Sequence, residues 1–242
     1  MSAIWAIVRK DLRAYYLKPP LISWAIIMPI VLVLAFYLRH PEGIGDLLPG
    51  LVAMTVLFGA TSMEGIVFTF EKRIGALERL LLAPVSLRQV LMGKVLGGTL
   101  FGAATGIAML LIGMLGFGVS GPRWEIALPV IVLSSFALSC MAMALVAGVR
   151  EVFEAMTLFN YFRFPMVFLC GVFVPVAAMA LPLRVVAYVL PLTYVVDGLG
   201  GAFPARSGLF SPGLDLLILG GYSAVFLLCA ELVLKRSVRR EG

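Results

Sequence analysis

Six long apolar runs divide this chain of 242 residues: 21–38, 48–70, 95–119, 126–149, 155–176 and 214–234. A helix needs about 20 apolar residues to cross roughly 30 Å of hydrocarbon. None of the runs alternates polar and apolar at every second position, as barrel strands do. Apolar residues make up 62% of the chain and charged residues 13%, about half the charged share of a soluble domain. A soluble fold of this length has no interior large enough for that much apolar side chain. The expectation is an all-α membrane protein with six transmembrane helices, a single domain over 1–242 with no room for a sizeable soluble one.

The charges set an orientation. Fourteen of the nineteen Lys and Arg residues fall before the first run, between runs two and three, between runs four and five, or after the sixth. Arg39, Arg123, Arg184 and Arg206 fall in the other set of connections, and Arg163 lies inside run five. The positive-inside rule then places both termini in the cytoplasm. On this reading the net charge of +6 reflects topology and not nucleic-acid binding. Cys140, Cys170 and Cys229 lie within runs without CxxC spacing, and His40 is the only histidine, so no metal site or catalytic triad is expected. No cleavable leader is expected, since the first apolar run follows a charged segment and Pro19-Pro20. There is no G-x-x-x-x-G-K-[ST] loop: Gly93-Lys94 is followed by Val95, with Arg88 where the first glycine belongs. No catalytic residue is expected, and energy for work would come from a partner or a gradient.

Residues 2–17 read as an amphipathic helix in the membrane interface. Ile4, Val8, Leu12 and Tyr15 recur at helical spacing, away from Arg9 and Arg13. Gly98, Gly102 and Gly106 form a GxxxGxxxG stripe suited to close helix approach. The stretch 175–203 is apolar but cut by Pro175, Pro182 and Pro191. Its pieces are too short to span, which predicts a re-entrant or interfacial outer cap between spans five and six.

The charged stretch 71–94 interrupts the apolar pattern. Ile74, Leu77 and Leu81 share a face, Glu71 and Glu78 form an acidic edge, and Lys72 and Arg79 a basic one. Pro84 stops that helix. Ser86 and Gln89 then form a capping box, with Val85 and Val90 placed as a hydrophobic staple, so a new helix starts at Leu87 and runs into span three. Cations alone explain topology. Leucines and carboxylates outside the bilayer suggest a docking surface. Two charges also lie at membrane depth, Glu64 and Arg163. Each needs a reason to be there, and their similar distances from the same membrane face suggest an ion pair or a shared aqueous path.

Two motif blocks carry a resemblance. After run two stands E-x-x-x-G-x-L-E-x-L-x-x-x-P-V-S, formed by Glu71, Gly75, Leu77, Glu78, Leu80, Pro84, Val85 and Ser86. After run five stand Gly171, Phe173, Pro175, Leu181, Pro182, Pro191, Leu192, Thr193, Tyr194 and Asp197. The pattern resembles the permease subunits of ABC-2 type exporters over almost the whole chain. It departs at Leu190, where members often carry Asn, and over 198–202, where many carry Arg. The resemblance implies a dimer with a second copy or a close paralogue, seated above separate cytoplasmic ATP-binding subunits that hold ATP and Mg. It implies that 71–94 is a coupling segment, with Glu71, Arg73, Leu77, Glu78, Arg79, Leu81 and Pro84 meeting the ATPase. Gly171, Pro175, Pro182, Pro191, Tyr194 and Asp197 would shape the outer cap. A multi-pass protein of a prokaryotic cell membrane, in contact with lipid, would then export a hydrophobic or amphiphilic cargo, a drug or lipid, with a lipid-linked glycan as the other cargo class. A proton-coupled secondary transporter using Glu64 is the competing class.

Overall fold

The computed structural model describes residues 3–16, 44–81, 84–149, 151–204 and 208–241, with Ile27, Ile30, Val31, Leu34, Ala35 and Leu38. The first predicted span, 21–38, otherwise lies outside the described residues. Every long element described is helical. In chain order these are α1 (Ala3–Asp11), extended by a π-turn (Leu12–Tyr16), α2 (Ile44–Arg73), α3 (Ala76–Leu81), α4 (Leu87–Phe117), α5 (Trp124–Val146) and α6 (Val152–Leu169). A 3₁₀ turn (Val176–Ala178), α7 (Leu181–Val189), α8 (Pro191–Ala202) and α9 (Pro212–Glu241) complete it.

Four helices, α2, α4, α5 and α9, are long and apolar enough to cross a membrane. The pair α7–α8, bent by 89°, makes a fifth if it is one broken span. The predicted span 155–176 is helical only as far as Leu169. Its helix is α6, 18 residues long, and it ends at Leu169 because Gly171 turns the chain at φ +87 and Pro175 leads into the 3₁₀ turn. Glu154, Asn160 and Arg163 interrupt the apolar sequence of α6.

α2 is the centre of the bundle and packs against α4, α5, α6 and α8. α4 runs along it through the glycine stripe. A Cβ at Gly106 would stand 2.4 Å from a Val56 methyl, one at Gly102 2.7 Å from Ala60 Cβ, and one at Gly98 2.4 Å from Glu64 Oε1. Val56, Ala60 and Glu64 are four apart on α2, so two antiparallel helices meet along one stripe each. The stripe serves packing within the chain. Buried hydroxyls in these helices return to their own backbone: Thr55 Oγ1 donates to Leu51 O at 2.8 Å, Thr99 Oγ1 to Val95 O at 2.7 Å and Ser135 Oγ to Ile131 O at 2.7 Å. This satisfies polar groups that have no water to turn to.

α1 lies on α4. Ile7, Val8 and Asp11 are its buried positions, while Trp5, Arg9 and Lys10 face outward. Gly93 makes the contact close, since a Cβ there would stand 2.8 Å from an Ile7 methyl.

Candidate functional site

The segment 71–94 is built as a short helix followed by the capped start of a long one. α2 continues to Arg73, and Gly75 then takes φ +67, a left-handed turn that glycine adopts without steric cost. The helix expected from Glu71 onward is therefore broken, and only Ala76–Leu81 forms α3. Past Pro84, Ser86 caps α4 as its spacing predicts. Gln89 N donates to Ser86 Oγ at 3.2 Å and Ser86 N donates to Gln89 Oε1 at 2.8 Å. Arg73 is exposed and pairs with Glu151 at 3.4 Å. Arg79 is exposed and donates to Ile74 O at 3.2 Å. Phe70, Ile74 and Pro84 are exposed beside them. The side chains of Leu77, Glu78 and Leu81 lie outside the described ones.

Glu71 is not part of that surface, which corrects the expectation for this residue. It is 1% exposed and its two oxygens are taken: Lys94 Nζ donates to Oε2 at 2.5 Å and Lys10 Nζ to Oε1 at 2.6 Å. Asp11, also buried, stands 2.8 Å from Lys94 Nζ and 3.0 Å from Lys10 Nζ. Two lysines and two carboxylates thus form a neutral quartet that joins α1, the end of α2 and the start of α4, with Asp11, Glu71 and Lys94 buried and Lys10 at its exposed edge. Burial works to lower the Lys10 pKa, but the Glu71 hydrogen bond and the Asp11 and Glu71 charges outweigh it and hold the ammonium above its ordinary value. By sequence, Lys10 and Lys94 count among the topology charges, and Asp11 has no assigned partner. The available signal was spacing: Ile4, Ile7, Val8 and Asp11 share one helical face, and an acid on an apolar face needs a cation. Two more links tie this end of the bundle to α9: Lys72 Nζ donates to Ser237 Oγ at 2.7 Å and Arg88 Nε to Glu231 Oε1 at 2.8 Å.

Glu64 and Arg163 are both buried, but no ion pair joins them. Arg163 Nε donates to Thr61 Oγ1 at 2.7 Å, and its guanidinium lies 4.7 Å from the Phe159 ring centre and 5.3 Å from that of Phe58. Gly65 leaves room for the Phe159 ring, which would collide with any Cβ there. Glu64 faces α4 and α5 instead. A Cβ at Gly98 would stand 2.4 Å from both Glu64 Oε1 and Ser139 Oγ, and Ser139 Oγ donates to Ala60 O at 3.4 Å. Among the described residues neither Glu64 oxygen has a hydrogen-bond donor in line with it. The two residues differ in direction around α2. Phe58, Thr61 and Gly65 look towards α6, while Val56, Ala60 and Glu64 look towards α4, about 130° around the helix at 100° per residue.

The residues expected to shape the cap sit at its turns and connections. Gly171 makes the turn after α6, Pro182 lies in the first turn of α7, and Pro191 opens α8. Tyr194 OH donates to Tyr188 O at 2.7 Å, and the ring stacks on Phe210 at 6.0 Å. Asp197 accepts from Leu209 N at 2.6 Å and Phe210 N at 2.8 Å, so it holds the connection between α8 and α9. Cys170, Gly171, Pro175, Thr193 and Asp197 line a cavity of about 320 Å³ under the cap. Arg123 N donates to Ala202 O at 2.8 Å and seats the end of α8 on the start of α5.

A family model described as ABC-2 type transporter matches residues 2–203, from α1 through α8. No curated protein sequence matches the chain.

Proposed function

The chain belongs to the ABC-2 type transporter family, and from that premise we propose that it is the permease subunit of an ATP-driven exporter. In this reading it forms a dimeric path for a hydrophobic or amphiphilic cargo, a drug or lipid. It carries six spans with both termini in the cytoplasm of a prokaryotic cell. Hydrolysis belongs to a separate cytoplasmic subunit that binds ATP and Mg, and this chain performs no chemistry of its own.

The observation that carries the reading is the build of 71–94. A short helix set off by Gly75 and Pro84 hangs between two helices of the bundle, with Phe70, Arg73, Ile74 and Arg79 exposed. An ATPase cleft that closes around such a projection moves α2 and α4 together. Arg73, Leu77, Glu78, Arg79, Leu81 and Pro84 form the proposed contact. The exposed rings of Phe153, Tyr161, Phe162, Phe164 and Phe168 on α6 support a cargo with apolar parts, since aromatic faces tolerate varied apolar partners.

The test is co-purification of this chain with the product of a neighbouring gene that carries a phosphate-binding loop. Arg79→Glu and Leu77→Asp should each release that subunit while the permease stays folded. Retention by both variants would overturn the assignment of the contact. A second reading rests on one observation, the buried Glu64 without an ion pair, which suits a proton-coupled transporter. Transport that survives ATP depletion and collapses with an uncoupler would favour it.

A further inference from the structure

Glu71 lies on the α2 side of the Gly75 break, and Lys94 lies on the α4 side of the capping box. Their ion pair therefore closes the base of the projecting segment, at 2.5 Å and with Lys94 1% exposed. Left open at its base, such a segment would flex at Gly75 and at Pro84 and absorb any displacement of α3. Closed, it moves with the ends of α2 and α4. The same lysine reaches Asp11 at 2.8 Å, and Lys10 reaches Glu71 at 2.6 Å, so α1 is held at that base by two charges of its own. Ile7 against Gly93 also holds α1 to α4, but an apolar contact is non-directional and permits sliding. Buried ion pairs fix rotation and register, because separating them strands a charge away from water, and bulk salt screens them weakly.

We propose that Lys10, Asp11, Glu71 and Lys94 are a clamp that makes the interfacial helix α1 part of the moving unit, with Lys94 as the positioning residue through which displacement of α3 reaches α1. The inference rests on reading 71–94 as the coupling segment. On that reading α1 is more than an anchor in the interface: it is displaced with α2 and α4.

The experiment is a pair of spin-label distances in the full chain in lipid nanodiscs. Cys229, the exposed native cysteine, is replaced by Ala. One label pair is placed at the exposed positions of Arg9 and Arg79, and a control pair at Val132 and Leu228 on α5 and α9. With labelled chain diluted into unlabelled chain, the parent should give one narrow intramolecular distance peak for each pair. Lys94→Met should abolish the narrow 9–79 peak and leave the 132–228 peak, and Lys94→Arg should restore it. A Lys94→Met chain with an unchanged 9–79 peak overturns the clamp. Broadening of both pairs also overturns it, since that is general loosening. If Lys94→Met does not yield folded protein, Asp11→Asn is read by the same outcomes. No ATPase is needed, so failure to find an ATP-binding partner would sink the functional reading and leave this result standing.

Discussion

At Gly102, the middle of the α4 stripe, a methyl would meet three atoms of Ala60, 2.7 Å from Cβ and 3.0 Å from Cα and N. Backbone cannot step aside, so Gly102→Ala should force α2 and α4 apart and cost about 1–3 kcal/mol, the usual range for overpacking. At Gly98 the first atoms met are the ends of the Glu64 and Ser139 side chains, which can rotate. Gly98→Ala should therefore lower the melting temperature in detergent less than Gly102→Ala, and the reverse order would refute this account of the interface. Lys10 gives a pH signature. Its folded pKa is raised above 10.5, so its contribution is fully present below that value and is lost as pH rises through the folded pKa. The melting-temperature gap between the parent and Lys10→Met should stay flat from neutral pH to about pH 10 and shrink above it. A gap that already shrinks between neutral pH and about pH 9 would contradict the sign.

At the level of the element, the start of α4 depends on Ser86. Its hydroxyl accepts from Gln89 N, and Gln89 returns the bond to Ser86 N. Ser86→Ala should cost about 1 kcal/mol, a typical cap value. The loss should be local, because α4 is otherwise held by its glycine stripe and by Lys94. Hydrogen exchange should speed up at the first turn of α4, with the turn that contains Gly98 unchanged. This cap was legible in the sequence because it depends on residues three apart. The break at Gly75 was not. The spacing of Ile74, Leu77 and Leu81 suited one continuous helix, and nothing in that pattern shows that glycine uses its freedom at φ +67.

For the whole molecule, the quartet and the ties of Lys72 to Ser237 and Arg88 to Glu231 bring α1, α2, α4 and the far end of α9 to one end of the bundle. Arg123 joins α8 to α5 at the other. That division agrees with the charge asymmetry that predicts cytoplasmic termini. A fluorescent protein fused after Gly242 should therefore mature and fluoresce, while one inserted after Gly121, between α4 and α5, should stay dark in an oxidising compartment that it enters unfolded. Fluorescence from both would overturn the orientation.

Composition and local spacing by themselves determined that the chain is helical and apolar, where α2, α4, α5 and α9 run, that Ser86 caps a helix and that three glycines invite a neighbour. Each of these depends on residues within a few turns of one another. The tertiary structure alone decided which faces meet. It turned Arg163 towards Thr61 and two rings and not towards Glu64, withdrew Glu71 from the surface into a quartet with Lys94, Lys10 and Asp11, and gave Asp197 the backbone of Leu209 and Phe210 to hold. The physical reason is rotation about the helix axis: depth in the membrane follows from counting residues, but the direction a side chain points depends on every helix packed around it.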